Sequence, residues 1–325
     1  MSSWGQTPCV GNGELTGGTI PTSMEAVRLH APGLSGLVIE DIETPPTRAG
    51  EALVRVYAAA ITRDELDWPV DRLPAIPSYE LSGMVADVAA DVEAVRIGEP
   101  VYGLTGFDRD GVAAEYAAVP ASLLAPKPST LDHVASAAIP LAALSAWQGL
   151  FDHGRLEKGE RVLIHGAAGG VGHFATQLAR WCGAHVIGTA SPNSLEAALA
   201  FGAHEAVDGK NGHLEAIDPV DLVFDTVGGE LLERSPTMVR PGGRLISVAE
   251  EPPRSTARID ASYFVVEPNR EQLIQIARLV DEAVLRPAID SVFPLSEAPA
   301  AFERNLASGK RGKVVIRVAE ESTAR

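Results

Sequence analysis

The residues with the clearest chemical meaning are the small ones that follow a strongly apolar segment near the middle of the chain. Residues 161–165 (RVLIH) have the pattern of a buried strand, residues 166–172 (GAAGGVG) that of a tight turn, and apolar side chains then recur at helical spacing as far as Cys182. Such a turn lets backbone N–H groups approach a pyrophosphate, and the N-terminus of the next helix adds favourable positive charge. Because strand, turn and helix occur together, we expect a dinucleotide site here. Its predicted residues are Ala168, Gly169, Gly170 and Val171.

The end of the next predicted strand bears on which dinucleotide binds. Residues 185–190 (HVIGTA) lead into Ser191 and Asn193, where NAD-specific sites usually have an Asp or Glu that binds the ribose hydroxyls. A neutral position does not repel a 2′-phosphate, so we expect NADPH, with NADH as the alternative. The predicted contacts are Thr189, Ser191 and Asn193, although no Arg or Lys lies close by in the sequence to pair with the phosphate.

Two later glycine pairs lie at the ends of two further predicted strands. Residues 225–229 (DTVGG) and the pair at 242–243 precede or follow strand patterns, and the carboxyl ends of parallel strands line the cofactor crevice. Ordinary glycine turns would explain the same residues about equally well. The predicted cofactor contacts in this region are Asp225, Thr226, Val227 and Val248.

The elements that must position these residues fall into two groups. From residue 24 to about 143, short strands alternate with Pro/Gly turns, which predicts a compact barrel-like domain. Beyond about residue 131, helices appear and then alternate with apolar strands, which predicts an α/β fold with a doubly wound parallel sheet. The predicted strands are 24–29, 37–42, 52–60, 81–88, 101–104 and 112–119 in the first group and 161–165, 185–189, 222–225 and 244–248 in the second.

The domain boundaries follow from these patterns. We expect the dinucleotide-binding domain at 144–283 and the substrate domain at 24–143 together with 284–325, because the final strand, 313–318, is expected to rejoin the barrel. Residues 1–23 are rich in Gly, Ser and Thr and have no periodicity, so we expect a disordered extension.

Composition excludes several classes of protein. The chain has 325 residues and a net charge of −16, and this excess of acid argues against a nucleic-acid partner. Only two cysteines occur, Cys9 and Cys182, which indicates a reducing compartment. No apolar run reaches the roughly 18 residues of a membrane span and no signal peptide is evident, so we expect a cytoplasmic protein that is not embedded in a membrane.

Four segments in order resemble one family. Residues 167–172 (AAGGVG), 225–229 (DTVGG), 243–247 (GRLIS) and 311–318 (RGKVVIRV) are similar to motifs of the medium-chain dehydrogenase/reductase superfamily, in its zinc-independent quinone oxidoreductase branch. The resemblance extends from residue 24 to about 318. It implies a GroES-like β-barrel domain, a Rossmann domain, a small-molecule substrate and a homodimer formed through the edge of the Rossmann sheet.

The resemblance also makes absent residues informative. Thr62 stands where zinc alcohol dehydrogenases have a ligand cysteine, and residues 78–80 (SYE) stand where they have Gly-His-Glu. Zinc requires three or four N, S or O ligands, so we expect no zinc site. Without a Lewis acid, reduction of an electrophilic acceptor is easier than oxidation of an alcohol. We therefore expect hydride transfer to a quinone or an α,β-unsaturated carbonyl, with an enoyl reductase of a biosynthetic pathway or a low-turnover NADPH-binding dimer as alternatives.

Candidate active-site residues follow from the resemblance. Tyr79 is the predicted proton or hydrogen-bond donor, with ordinary packing as its structural alternative, and Thr62 is the second catalytic candidate. Residues predicted to contact the substrate are Asp64, Trp68 and Leu141. Phe264 and Val265 are expected near the nicotinamide, and Lys313 is expected to face the crevice.

Overall fold

A computed structural model describes residues 19–68, 71–212, 214–254, 258–307 and 309–321. Most of the predicted extension, residues 1–18, lies outside these ranges, and its disorder stays a prediction. Within the described residues the strands form two large sheets and a hairpin. None of the helices in these ranges has the length and apolar character that crossing a bilayer requires.

The N-terminal part of the chain forms an antiparallel, barrel-like sheet. Its central strand is the longest and pairs with other strands along both edges. Nearly every residue along it is buried, because apolar core side chains pack on both of its faces. The predicted strand at 112–119 begins later than expected, since residues 112–115 form a loop with a single bridge. The strands are β1 (Ser23–Leu29), β2 (Leu37–Glu43), β3 (Glu51–Ile61), β4 (Glu80–Val88), β5 (Pro100–Leu104), β6 (Tyr116–Pro120) and β7 (Leu124–Pro126).

Two short helices connect this sheet to the second one. Helix α1 (His133–Ala137) is capped by Asp132, whose carboxylate accepts a hydrogen bond from Ala135 N at 2.7 Å. Helix α2 (Pro140–Trp147) begins at a proline and continues into a π-helical turn, Gln148–His153. Almost all of α2 is buried, which explains why its residues other than Ser145 are apolar.

The second sheet is a six-stranded parallel Rossmann sheet with helices on its faces, which confirms the predicted fold class. Its order is β10-β9-β8-β11-β12-β13. Two edge strands were not predicted, because β10 (EAVD) and β13 (DASY) are short and largely polar. The strands are β8 (Arg161–His165), β9 (His185–Ala190), β10 (Glu205–Asp208), β11 (Val220–Asp225), β12 (Val239–Ser247) and β13 (Asp260–Tyr263), and the helices α3 (Gly172–Cys182), α4 (Leu195–Ala200) and α5 (Gly229–Arg234).

The C-terminal segment returns to the barrel, as the sequence predicted. After α6 (Arg270–Asp281) come β14 (Ile289–Pro294), α7 (Ala298–Leu306) and β15 (Lys313–Arg317). Strand β15 pairs with β3 in antiparallel register, with Val314 opposite Ile61. This pairing places the end of β3 and the start of β15 side by side at the junction of the two sheets. The residue limits of the two domains stay predictions.

Candidate active site

The glycine-rich turn between β8 and α3 has the geometry of an anion-binding loop. Gly166 adopts φ +75°, and a Cβ on Gly172 would lie 2.0 Å from the Gly166 carbonyl oxygen, so both positions require glycine. Helix α3 begins at Gly172, and its next N–H groups donate to carbonyl oxygens of the loop, as His173 N does to Gly169 at 3.1 Å. The N–H groups of residues 170–172 have no acceptor among the described residues. The residues present therefore fit a dinucleotide pyrophosphate.

Two buried histidines hold this loop in place. His173 donates from Nδ1 to the Gly169 carbonyl oxygen at 2.9 Å, and its Nε2 accepts from Ala288 N at 3.1 Å. His165 lies between the hydroxyls of Thr189 (3.2 Å) and Ser235 (2.9 Å). Burial lowers the pKa of both imidazoles to about 4, so both rings are neutral at physiological pH and act as fixed hydrogen-bonding groups.

The loop opens on a cleft of ≈ 890 Å³ between the two sheets. One wall comes from the barrel and the other from the carboxyl ends of the Rossmann strands, so the cleft is the shared surface of both domains. Most of the predicted site residues line it. They are Thr62, Asp64, Trp68, Leu141, Gly169, Gly170, Val171, Thr226, Val227, Val248, Phe264, Val265 and Lys313.

A second pocket of ≈ 370 Å³ adjoins the cleft at Gly166 and Val227. Thr189 and Ser191 line it, as predicted. Lys210, Asn211 and Arg234 line it as well, and the sequence did not indicate them because they come from separate segments. Asp208 fixes the Lys210 turn by accepting hydrogen bonds from Lys210 N (2.9 Å) and Asn211 Nδ2 (3.1 Å). The fold thus supplies the cations that were missing near Ser191 in the sequence.

Three predicted cofactor contacts line neither pocket. Ala168 is buried, with its carbonyl oxygen accepting from Gly312 N at 3.3 Å, and Asn193 is exposed on the turn after β9. Asp225 is also buried and accepts hydrogen bonds from Ser247 Oγ (2.8 Å) and from the N–H groups of residues 227 and 228. Burial raises the pKa of Asp225, and these hydrogen bonds oppose the effect. Asp225 therefore shapes the loop at 226–228, and its contact with the cofactor stays a prediction.

A buried ionic network lies under the barrel wall of the cleft. Lys313 Nζ forms an ion pair with Glu80 Oε1 and donates to Thr62 Oγ1 at 3.2 Å. The other carboxylate oxygen of Glu80 accepts from Leu141 N at 2.8 Å. Both charged side chains are almost fully buried, while Thr62 and Lys313 also face the cleft. The network thus presents a hydroxyl whose oxygen is bound to an ammonium group.

Glu65 lies beside this network and was not predicted as a site residue. It is 0% exposed, and its Oε2 accepts from Thr62 N at 3.0 Å. Its Oε1 has no hydrogen-bond partner among the described residues. Burial raises the pKa of Glu65 to about 8, so the carboxyl is mainly protonated at neutral pH.

Comparison with known proteins decides the family. One family model, described as alcohol dehydrogenase GroES-like domain, matches residues 48–129, and a second, described as zinc-binding dehydrogenase, matches residues 201–316. The quinone oxidoreductase from Coxiella burnetii has a similar structure, with a TM-score of 0.84 and 32% identity, over 91% of this chain and 100% of that one. The chain belongs to the medium-chain dehydrogenase/reductase superfamily.

Two relatives from the superfamily indicate the range of activities. The NADPH-dependent alkenal/one oxidoreductase of Arabidopsis thaliana is 30% identical over 92% of this chain and 80% of its own length. The spectinabilin polyketide synthase system protein NorB of Streptomyces orinoci is 33% identical over 95% of this chain, which corresponds to 15% of that protein. As a superfamily member with such relatives, the protein is an NAD(P)H-dependent oxidoreductase that acts on a small molecule.

Tyr79, the predicted proton donor, is the main correction to the predicted site. The side chain of Tyr79 is 0% exposed and does not line the cleft. The ring packs against Trp68 and Phe107, with centroids 5.6 and 5.3 Å away, and the hydroxyl accepts from Arg72 Nη2 at 3.2 Å. Burial raises the pKa of Tyr79 further. The geometry therefore supports the packing alternative and leaves Thr62 as the catalytic candidate at the cleft.

Proposed function

We propose that the protein is an NADPH-dependent, zinc-independent reductase that transfers hydride to a quinone or an α,β-unsaturated carbonyl compound. The observation that supports this most directly is that the pyrophosphate loop and the Thr62–Lys313 pair open on the same cleft. Apolar side chains from both domains, Trp68, Phe107 and Phe264, line the space between them. Such a cleft suits a flat, weakly polar acceptor held against a nicotinamide ring.

The second pocket supports NADPH as the preferred cofactor. Ser191 is neutral, and Lys210 lines the same pocket from the adjacent turn after β10, where Gly209 N donates to the Ala190 carbonyl oxygen at 3.1 Å. A 2′-phosphate on the adenosine ribose would meet the Lys210 ammonium and the Asn211 amide there. NADH is the alternative cofactor and lacks the group that these side chains would bind.

The donor set of the cleft supports a mechanism without zinc. Thr62 and Tyr79 offer a hydroxyl and a buried phenol where zinc alcohol dehydrogenases have cysteine and histidine ligands. Glu80 is already bound to Lys313, and Cys182 lies at the far end of α3, where its thiol contacts the Leu156 carbonyl oxygen. These groups do not match the N and S ligands that zinc prefers in proteins. Metal analysis of the active, dialysed enzyme tests this part of the proposal.

For this reaction the protein itself has to supply only two things. It must hold the substrate against the cofactor, and it must offer one polarised hydroxyl group. When bound, the reduced cofactor supplies a hydride. Thr62 Oγ1 accepts from Lys313 Nζ and donates to Glu80 Oε1 across a long contact of 3.5 Å. With substrate bound, this hydroxyl would turn from Glu80 and donate its hydrogen bond to the substrate oxygen that gains negative charge. The Lys313 ammonium group behind Thr62 stabilises that charge, and Glu80 keeps the ammonium in place. The apolar wall excludes water from the reacting atoms.

Oxidation of NADPH and NADH with quinones, enones and enoyl thioesters tests the function. We expect turnover with at least one class and a preference for NADPH. Replacing Lys210 by Met should weaken NADPH binding roughly tenfold or more while NADH binding changes little, because a charge-assisted phosphate contact is lost. The exposed Lys158, changed to Met, is the control for the same change in net charge. Equal loss of affinity for both cofactors would contradict the role given to Lys210.

Two alternatives retain specific support. The similarity to a polyketide synthase system protein favours an enoyl reductase of a biosynthetic pathway, which the enoyl thioester assay addresses. A low-turnover NADPH-binding dimer with a structural or regulatory role would bind NADPH without consuming it in any assay. A homodimer through the exposed edge strand β13 is part of the proposal and is tested by light scattering. Cytoplasmic localisation stays a prediction.

A further inference from the structure

Two cationic side chains lie at one end of the cleft without an anionic partner among the described residues. Arg63 follows β3 and Lys310 precedes β15, and because these strands pair, both segments leave the sheet at the same end. Lys310 Nζ donates to Asn305 Oδ1 at 2.6 Å, and Arg63 Nη2 donates to the Leu306 carbonyl oxygen at 3.2 Å. Neutral oxygens thus orient both cations, and neither cation forms an ion pair with a described residue, although the charge of the nearby Asp290 offsets part of the repulsion at Lys310.

The neighbouring charges are already engaged with each other. Lys313 is paired with Glu80, and Arg304 donates from two nitrogens to Asp290, at 2.7 Å each. Asp64, next to Arg63, lines the cleft but is not within ion-pair distance of a described cation. Burial, together with the nearby charges of Lys313 and Arg63, lowers the pKa of Lys310 to about 8. Like charges held close together in this way would be stabilised by a bound anion.

We propose that Arg63 and Lys310 form a subsite for an anionic group of the substrate, either a carboxylate or a phosphate. The inference rests on the proposed function, because the cleft must admit the substrate beside the cofactor.

The alternative ligand for these two cations is the pyrophosphate of the cofactor itself. The cation nearest the loop is Lys313, whose Cδ would lie 3.4 Å from a Cβ on Gly170. The Lys313 ammonium is bound to Glu80, and the N-terminus of α3 is the site that fits the pyrophosphate.

Calorimetry on the NADP⁺ complex tests the subsite without requiring turnover. For the carboxylate the probes are 4-oxopentanoate and its methyl ester, and for the phosphate they are butanoyl-4′-phosphopantetheine and butanoyl-pantetheine. We expect the anionic member of one pair to bind roughly tenfold or more tightly than its neutral partner. Lys310→Met and Arg63→Met should each remove most of this preference, and Lys310→Arg should retain it. Arg311→Met, which removes an exposed neighbouring cation outside the cleft, should leave it unchanged.

Two results would overturn the subsite. The first is equal affinity for the anionic and neutral members of both pairs. The second is a Lys310→Met protein that loses affinity for NADP⁺ but keeps its preference for the anionic probe, since the cations would then serve the cofactor. An enzyme that turns over none of the acceptors but still prefers the anionic probe would refute the proposed reductase function and leave the subsite standing.

Discussion

Glu65 is the side chain whose replacement tests the electrostatics of the site most directly. Its carboxyl is completely buried, one oxygen accepts from Thr62 N, and the other has no hydrogen-bond partner among the described residues. Glutamine has the same shape as a protonated glutamate and keeps the acceptor for Thr62 N. We therefore predict that Glu65→Gln folds normally and is increasingly more stable than the parent protein as the pH rises.

The magnitude follows from the pKa of Glu65 in the two states. The folded protein holds the pKa of Glu65 at about 8, against 4.5 for a glutamate exposed to water, so the folded state binds more protons than the unfolded state between these two pH values. The parent protein then loses about 1.4 kcal/mol of stability per pH unit from pH 4.5 to about 8 and little more above it. Between pH 6 and pH 9 the stability falls over only the two pH units from 6 to about 8, so the expected loss of unfolding free energy is about 3 kcal/mol. Glu65→Gln removes this loss because glutamine does not titrate.

Urea unfolding of both proteins at pH 6 and pH 9 measures the effect. The lower pH stays above the isoelectric point, which is about 4.9. At each pH the unfolding free energy of the parent is subtracted from that of the variant, which cancels the contribution of groups that titrate alike in both proteins. This difference should be about 3 kcal/mol larger at pH 9 than at pH 6. Asp67→Asn, an exposed carboxylate in the same turn, is the control for loss of one acid. A Glu65→Gln difference that is the same at both pH values would refute the assignment of Glu65 as a buried, protonated acid.

Two further substitutions test the loop and the correction at Tyr79. Gly169→Val should raise the Kd for NADPH roughly tenfold or more in a fluorescence titration, because even a Cβ there would lie 3.1 Å from the Gly166 carbonyl oxygen and the extra methyls would enter the cleft; an unchanged Kd would show that the loop does not bind the pyrophosphate. Tyr79→Phe should leave kcat within about twofold and lower the unfolding free energy by about 1 kcal/mol, because only the hydrogen bond from Arg72 is lost; a large fall in kcat with unchanged stability would restore Tyr79 as a catalytic residue.

The parts of the fold that could be predicted are those with a local pattern. The strand at 161–165 and the loop that follows it are contiguous in sequence, so the dinucleotide site could be predicted without knowledge of the fold. Strand β10 could not be predicted from four residues of which only two are apolar, and the position of Lys210 depends on this strand. The contact between Lys313 and Thr62 joins residues 251 positions apart. No local pattern anticipates such a contact, although the expected return of the last strand to the barrel pointed towards it.

Tyr79 shows a different limit of prediction from sequence. The segment 78–80 was expected at the cleft and does lie beside it, but the direction of the Tyr79 side chain was not predicted correctly. Glu80 begins β4, and successive side chains along extended backbone point to opposite sides. Glu80 points to Lys313 below the cleft, whereas Tyr79 points to Trp68, Phe107 and Arg72. A one-residue difference therefore decides whether a side chain belongs to the ionic network or to the aromatic core. Position within a motif alone could not settle that.

The distribution of charge connects the two pockets with the acidity of the whole chain. The residues that line them include five basic side chains and four acidic ones, in a protein whose net charge is −16. The excess of acid therefore lies outside the pockets, where water solvates it. Since opposite charge must meet the cofactor phosphates locally, this separation lets an acidic protein bind a polyanionic ligand. It also makes Arg63 and Lys310 informative, because neither cation has an ion-pair partner among the described residues of this acidic chain, and we infer an anion that arrives with the substrate.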